Sequence, residues 1–146
     1  MSGALAAVAT LFAVMVRGAI ESGSAIAPVN ASTHFLFGRE AENKVDMDMR
    51  HTPLGLLTNA LGCIFWATLY EKAFGAIADR GETTKALLGA TAVAGLAYVT
   101  DYRIVPRRLS PGWEARISSR SLLLAYAALA LSVPLRGLAR HRRRRP

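Results

Sequence analysis

The chain has 146 residues, a formal net charge of +8, 52% hydrophobic residues and 19% charged ones, against about 25% charged in an ordinary soluble domain. That is one domain's length, and the balance argues against a water-soluble bundle, in which every helix would carry a polar stripe. The single cysteine, Cys63, excludes an intramolecular disulfide, leaves the redox compartment unreadable and reads as a small packing residue.

Four apolar stretches, Gly3–Ile20, Pro53–Tyr70, Lys85–Val99 and Ser121–Leu138, run for 15 to 18 residues each. A spanning helix needs about 20 mostly apolar residues, so these stand at the short end of the spanning range. The predicted fold is all-α: a polytopic membrane helical bundle of about four transmembrane helices, with a short interfacial or re-entrant helix near 28–38. Residues 1–138 form the helical domain and 139–146 an arginine-rich tail. No repeat and no other low-complexity segment interrupts this plan.

The first stretch resembles the apolar region of a signal peptide, and Ala25-Ile26-Ala27 has the form of a cleavage site. Met1-Ser2-Gly3 carries no basic residue, however, and Pro28 follows the cut, so the segment is expected to stay as the first span. Arg17 and Glu21, four residues apart, share a helix face and can neutralise one another. Gly23 and Pro28 then interrupt the helix. Asn30, Thr33, His34 and Phe37 fall on neighbouring faces of the next segment, which is too polar for lipid and too apolar for a loop.

The linker 38–52 is the most polar internal region. Asp46, Asp48 and His51, with His34 nearby, have no established metal-ligand spacing and read as a hydrated mixed-charge loop. No metal and no cofactor is expected. On the second helix, Gly55, Asn59, Gly62, Trp66 and Tyr70 form one stripe, and a buried amide needs a partner across the interface. Asn59 is therefore expected to face other helices. Trp66 to Lys72 read as an aromatic belt followed by interfacial charge. Ala86, Ala90 and Ala94 make a small-residue ridge, so the third helix is expected to be the most buried of the four.

Between the third and fourth helices, Asp101, Tyr102, Arg103, Arg107, Arg108 and Trp113 are candidates for an anchored loop that meets lipid headgroups, with Asp101 beside Arg103 and Glu114 beside Arg116 supplying mixed charge. Residues Arg136–Pro146 hold six arginines, one third of all Lys and Arg. Basic residues next to a span attract anionic lipid at about 1 kcal/mol each and bias that end toward the cytoplasm; no nucleic acid is expected. The charge count by side is a near tie: Lys72, Arg80, Lys85 and the tail give nine, and the opposite loops give eight before Arg17 is placed. Both termini are assigned to the cytoplasm on the density of the tail.

Three passages, Ala27–Gly38 (APVNASTHFLFG), Phe65–Glu71 (FWATLYE) and Val99–Glu114 (VTDYRIVPRRLSPGWE), resemble a group of small uncharacterised proteobacterial inner-membrane proteins. The resemblance implies a bacterial inner-membrane location and no chemistry. Two function classes follow. The first is a non-enzymatic accessory, scaffold or stress-related component that packs with itself or a larger partner. The alternative is a small oligomeric transport or permeation element with a polar path through Asn30, His34 and Asn59, and Glu71 at its side. An intramembrane enzyme is disfavoured, since no H-E-x-x-H, G-x-S-x-G or paired acid lies within a span.

Overall fold

The computed structural model describes residues 1–143, which are helical without a strand. In chain order the helices are α1 (Ser2–Ser22), α2 (Ala27–Ala31), α3 (His34–Phe37), α4 (Arg39–Asn43), α5 (Thr52–Asp79), α6 (Thr83–Val99), α7 (Ser119–Ser132) and α8 (Leu135–Arg143). A π-helical turn, Thr100–Ile104, continues α6, and two 3-10 turns, Arg107–Leu109 and Trp113–Ala115, follow it. Three stretches, Ser2–Ser22, Thr52–Asp79 and Ser119–Arg143, are long and apolar enough to cross a membrane.

The four long helices stand in a ring in the order α1, α5, α6, α7, with α7 returning to α1. Neighbours run antiparallel. Asn59 of α5 reaches the Ala7 carbonyl of α1, Tyr70 of α5 reaches the Ala86 carbonyl of α6, and Arg17 near the end of α1 reaches Ser121 at the start of α7.

Residue size decides which faces meet. On α1 the buried set is Ser2, Ala6, Thr10, Val14 and Gly18 at intervals of four, while Leu5, Val8, Phe12 and Ile20 are turned outward, Phe12 with 70% of its surface exposed. The same inversion holds on α6, where Ala86, Ala90, Ala94 and Ala97 are buried and Leu88, Leu96 and Val99 exposed. Small side chains let two backbones approach and pack by van der Waals contact. Half of the 14 residues of α7 are buried against six of the 17 in α6, so the fourth helix and not the third is the most enclosed; the alanine ridge of α6 is a single narrow face.

Glu21 fastens the end of α1 to α7. Its carboxylate is paired with Arg17 and accepts from the Ser118 backbone N–H at 2.5 Å and from the Ser121 hydroxyl. At the far end, Val133 and Pro134 break the expected fourth span, because proline has no N–H for the preceding turn. The chain restarts as α8, which lies on the end of α5 with Gly137 against Ala78. The expected tail boundary at 139 therefore falls inside a helix: Arg140 pairs with Asp79 at 3.5 Å and Arg136 with Glu71 at 3.7 Å. Arg144 and Arg145 lie outside the described residues.

The segment near 28–38, expected as an interfacial or re-entrant helix, packs against protein, with residues 27 to 34 all buried. Gly55 makes this possible. A Cβ there would meet the Val29 carbonyl carbon at 2.9 Å and its oxygen closer still, so α2 can lie against α5 only over a glycine.

Candidate functional site

Lengths along the ring create a cavity. At 1.5 Å per residue, α5 extends about 42 Å and α6 about 25 Å. α6 therefore ends level with the middle of α5, and the space beyond it is closed by α2, α3 and the 105–113 loop. A cavity of about 310 Å³ remains. Its walls come from Thr10 of α1, from Asn59, Cys63 and Trp66 of α5, and from Ala125, Tyr126 and Leu129 of α7, with Asp101 at the end of α6. Phe35, Leu109, Pro111 and Trp113 cover it.

The π turn aims Asp101 inward. The Tyr126 hydroxyl donates to its Oδ2 at 2.5 Å, and Tyr98, Tyr102, Trp113 and Tyr126 gather around the pair with ring centroids 5.2 to 6.3 Å apart. Glu114 accepts from the Ser110 hydroxyl through Oε1, while its Oε2 is buried without a partner among the described residues. Thr10 is only 3% exposed. Its hydroxyl points at the weakly polar thiol of Cys63 and meets no oxygen or nitrogen partner among the described residues. Unsatisfied buried polar atoms are uncommon in native structures; among the described residues Thr10 Oγ1 is one that lies on the cavity wall, Tyr102 stands beside Tyr126, and His51 Nε2 lies away in the linker.

The covering loop is strapped to the bundle. His34 Nδ1 lies 3.0 Å from the Ala31 carbonyl and Nε2 2.8 Å from the Arg107 carbonyl. Gly112 takes φ +79° directly above, where a Cβ would sit 2.6 Å from His34 Nδ1. Arg108 Nε donates to the Phe35 carbonyl at 3.2 Å, and Arg116 Nε donates to the Glu42 carbonyl at 2.5 Å.

Each sequence candidate now has a position. Asn30 is wholly buried, donates to the carbonyls of Lys44 and Asp46 and accepts from Thr52; it fixes the linker to the start of α5. Asn59, 8% exposed, donates to the Ala7 carbonyl at 3.1 Å and lines the cavity. Glu71 does not approach His34. It accepts from Ser2 and pairs with Arg136, about 24 Å along α5 from Gly55, where α2 packs.

Of the six loop candidates, Arg103, Arg107 and Arg108 are exposed, whereas Asp101, Tyr102 and Trp113 turn inward. Trp113, at 7% exposure, is no headgroup anchor: the short α6 leaves room that its ring fills. Asp101 and Glu114 do not pair with Arg103 and Arg116; among the described residues neither carboxylate has an ion pair. His51, expected in a hydrated loop, is buried beside Asp48 and the Phe37 ring. Among the described residues no group of His, Cys, Asp and Glu is arranged to hold a metal.

Sequence reasoning missed Thr10, Cys63 and Tyr126 as cavity residues. The signals were present: Thr10 interrupts the small-residue stripe of α1, and Tyr126 carries the one polar group in the run Leu122–Leu131. No protein-family model, curated protein or solved structure matches the chain.

Proposed function

We propose that the chain is a four-span integral membrane protein of the bacterial inner membrane, spanning through α1, α5, α6 and the Ser119–Arg143 stretch, and that it acts as a non-enzymatic binding component holding a small molecule in the cavity under the 105–113 loop. The observation that carries this reading is a cavity of about 310 Å³, with the Thr10 hydroxyl unpaired on its wall among the described residues, inside a bundle that turns large apolar side chains outward. A soluble bundle places large residues inward; this one turns Val8, Phe12, Leu61, Phe65, Leu123 and Leu131 outward. The arrangement suits a hydrocarbon surrounding, where packing of small residues holds helices together. Arg142 and Arg143, both exposed, would then face anionic headgroups on the cytoplasmic side.

The permeation alternative gains little from the geometry. Asn30, His34 and Asn59 are each committed to backbone carbonyls, which leaves their donors occupied along the path.

Membrane placement is tested in a Cys63→Ala background. Phe12→Cys and Leu61→Cys should resist an impermeant maleimide in intact vesicles, Met47→Cys should react from one side only, and the protein should stay in the pellet after alkaline carbonate extraction. Recovery in the soluble fraction overturns the spanning reading. The binding reading is tested with Gly62→Phe. No atom lies within 4 Å of a Cβ at Gly62, so the ring can enter the cavity mouth without displacing the bundle. Titration of the Trp66 and Trp113 fluorescence with aromatic solutes should then lose its saturable response, and a response equal to that of the unmodified protein overturns the cavity as the site.

A further inference from the structure

Asp101 is a carboxylate on the wall of a largely apolar cavity, and among the described residues its hydrogen bond comes from one neutral donor, Tyr126. Among the described residues no cation compensates it. The nearby arginines are turned elsewhere, Arg108 to the Phe35 carbonyl and Arg116 to the Glu42 carbonyl. Glu114 adds a second carboxylate close enough to act on Asp101 electrostatically, with one oxygen buried and unpartnered. A charge held away from water is costly unless it is paired, and intramembrane acids without a protein partner mark ion or substrate positions.

A neutral guest would leave this charge unmatched, and an anion would be repelled. A cation supplies the missing partner. The walls suit the same guest, because Phe35, Trp66, Trp113 and Tyr126 all face the space and aromatic faces attract a positive charge through their quadrupole. The volume of about 310 Å³ stands at the small end of ligand pockets, which run from about 300 to 1,000 Å³, so the guest has one or two rings. Resting on the reading of the cavity as a binding site, we propose that its ligand is a lipophilic organic cation: an apolar body bearing one amine or quaternary ammonium charge. The charge sits at Asp101 and the body lies against Trp66 and Trp113.

The test compares benzyltrimethylammonium with neopentylbenzene, which has the same shape without the charge. The chain has two tryptophans, both on the cavity, so the fluorescence of the full-length protein in a non-ionic detergent reports this space. Free concentrations are corrected for partition into micelles. The cation should bind at least about tenfold more tightly than its neutral isostere, and Asp101→Asn, which keeps an acceptor for Tyr126, should bring the two together. Equal affinities for the two compounds in the unmodified protein overturn the cation assignment and leave the cavity as a binding site. No saturable response to either compound overturns both readings. The isostere comparison needs no variant, so a poorly folded Asp101→Asn protein does not rescue the proposal.

Discussion

His34 Nε2 lies 2.8 Å from the backbone carbonyl oxygen of Arg107, a residue 73 positions further along the chain. One imidazole thus joins α3 to the loop that covers the cavity, while its other nitrogen stays on α2 at the Ala31 carbonyl. We predict that His34→Ala loosens this loop at a cost of about 0.5 to 1.5 kcal/mol, the net worth of one intramolecular hydrogen bond, since the Arg107 carbonyl keeps the Ser110 N–H and hydroxyl as donors. Hydrogen exchange should rise in residues 105–113 well before it rises in α5. Unchanged protection there would mean that Arg108 and Trp113 hold the loop without the histidine.

Two glycines are expected to tolerate no side chain. Gly112→Ala combines a left-handed backbone with a clash against Ala31 and His34, and Gly55→Ala drives a methyl group into the Val29 carbonyl. Each should cost about 2 kcal/mol or more, measured by unfolding in mild detergent. Gly95→Ala is the control, since a Cβ there meets open space, and it should be neutral or slightly stabilising in its helix.

Asn59→Leu removes the bond to Ala7 from the α1–α5 interface. The expected loss is about 0.5 to 2 kcal/mol, the range of interhelical polar contacts. A protein of unchanged or raised stability would show that the branched side chain repacks the cavity wall at no net cost.

Acid should loosen the linker through Asp48. Its carboxylate is held well below the usual range, first by the Arg50 backbone N–H at 2.6 Å and then by Lys44 and His51. Because the folded group binds its proton less readily than the unfolded one, its stabilisation is fully present above the ordinary value of 3.8 and fades as pH falls below it. Asp48→Asn should therefore weaken protection of residues 48–52 at pH 7 and differ progressively less from the unmodified protein as the pH is lowered beneath 3.8. Exchange at the Arg50 and His51 amides provides the measurement, and a gap that stays constant across that range would contradict the assignment to Asp48.

The apolar runs alone located the long helices, since hydrophobic residues in uninterrupted series leave no polar stripe for water. The first run, Gly3–Ile20, became Ser2–Ser22, and the third, Lys85–Val99, became Thr83–Val99. Charged ends were harder. α5 runs on to Asp79, where Glu71 and Asp79 meet Arg136 and Arg140 on α8, partners 60 or more positions away that no local pattern reveals.

What the sequence by itself determined is which face of each helix can approach a neighbour, because side-chain size and polarity along the helix set it. Only the tertiary structure decided the site. The same residues, Asp101, Tyr102 and Trp113, read along the chain as a surface loop between two helices. They turn inward because α6 is about 17 Å shorter than α5, and the space left beside the longer helix must be filled by whatever chain follows. What a difference in length between two consecutive helices leaves open is decided by how they and α7 pack, and it is this packing that converts a loop carboxylate into the wall of a cavity.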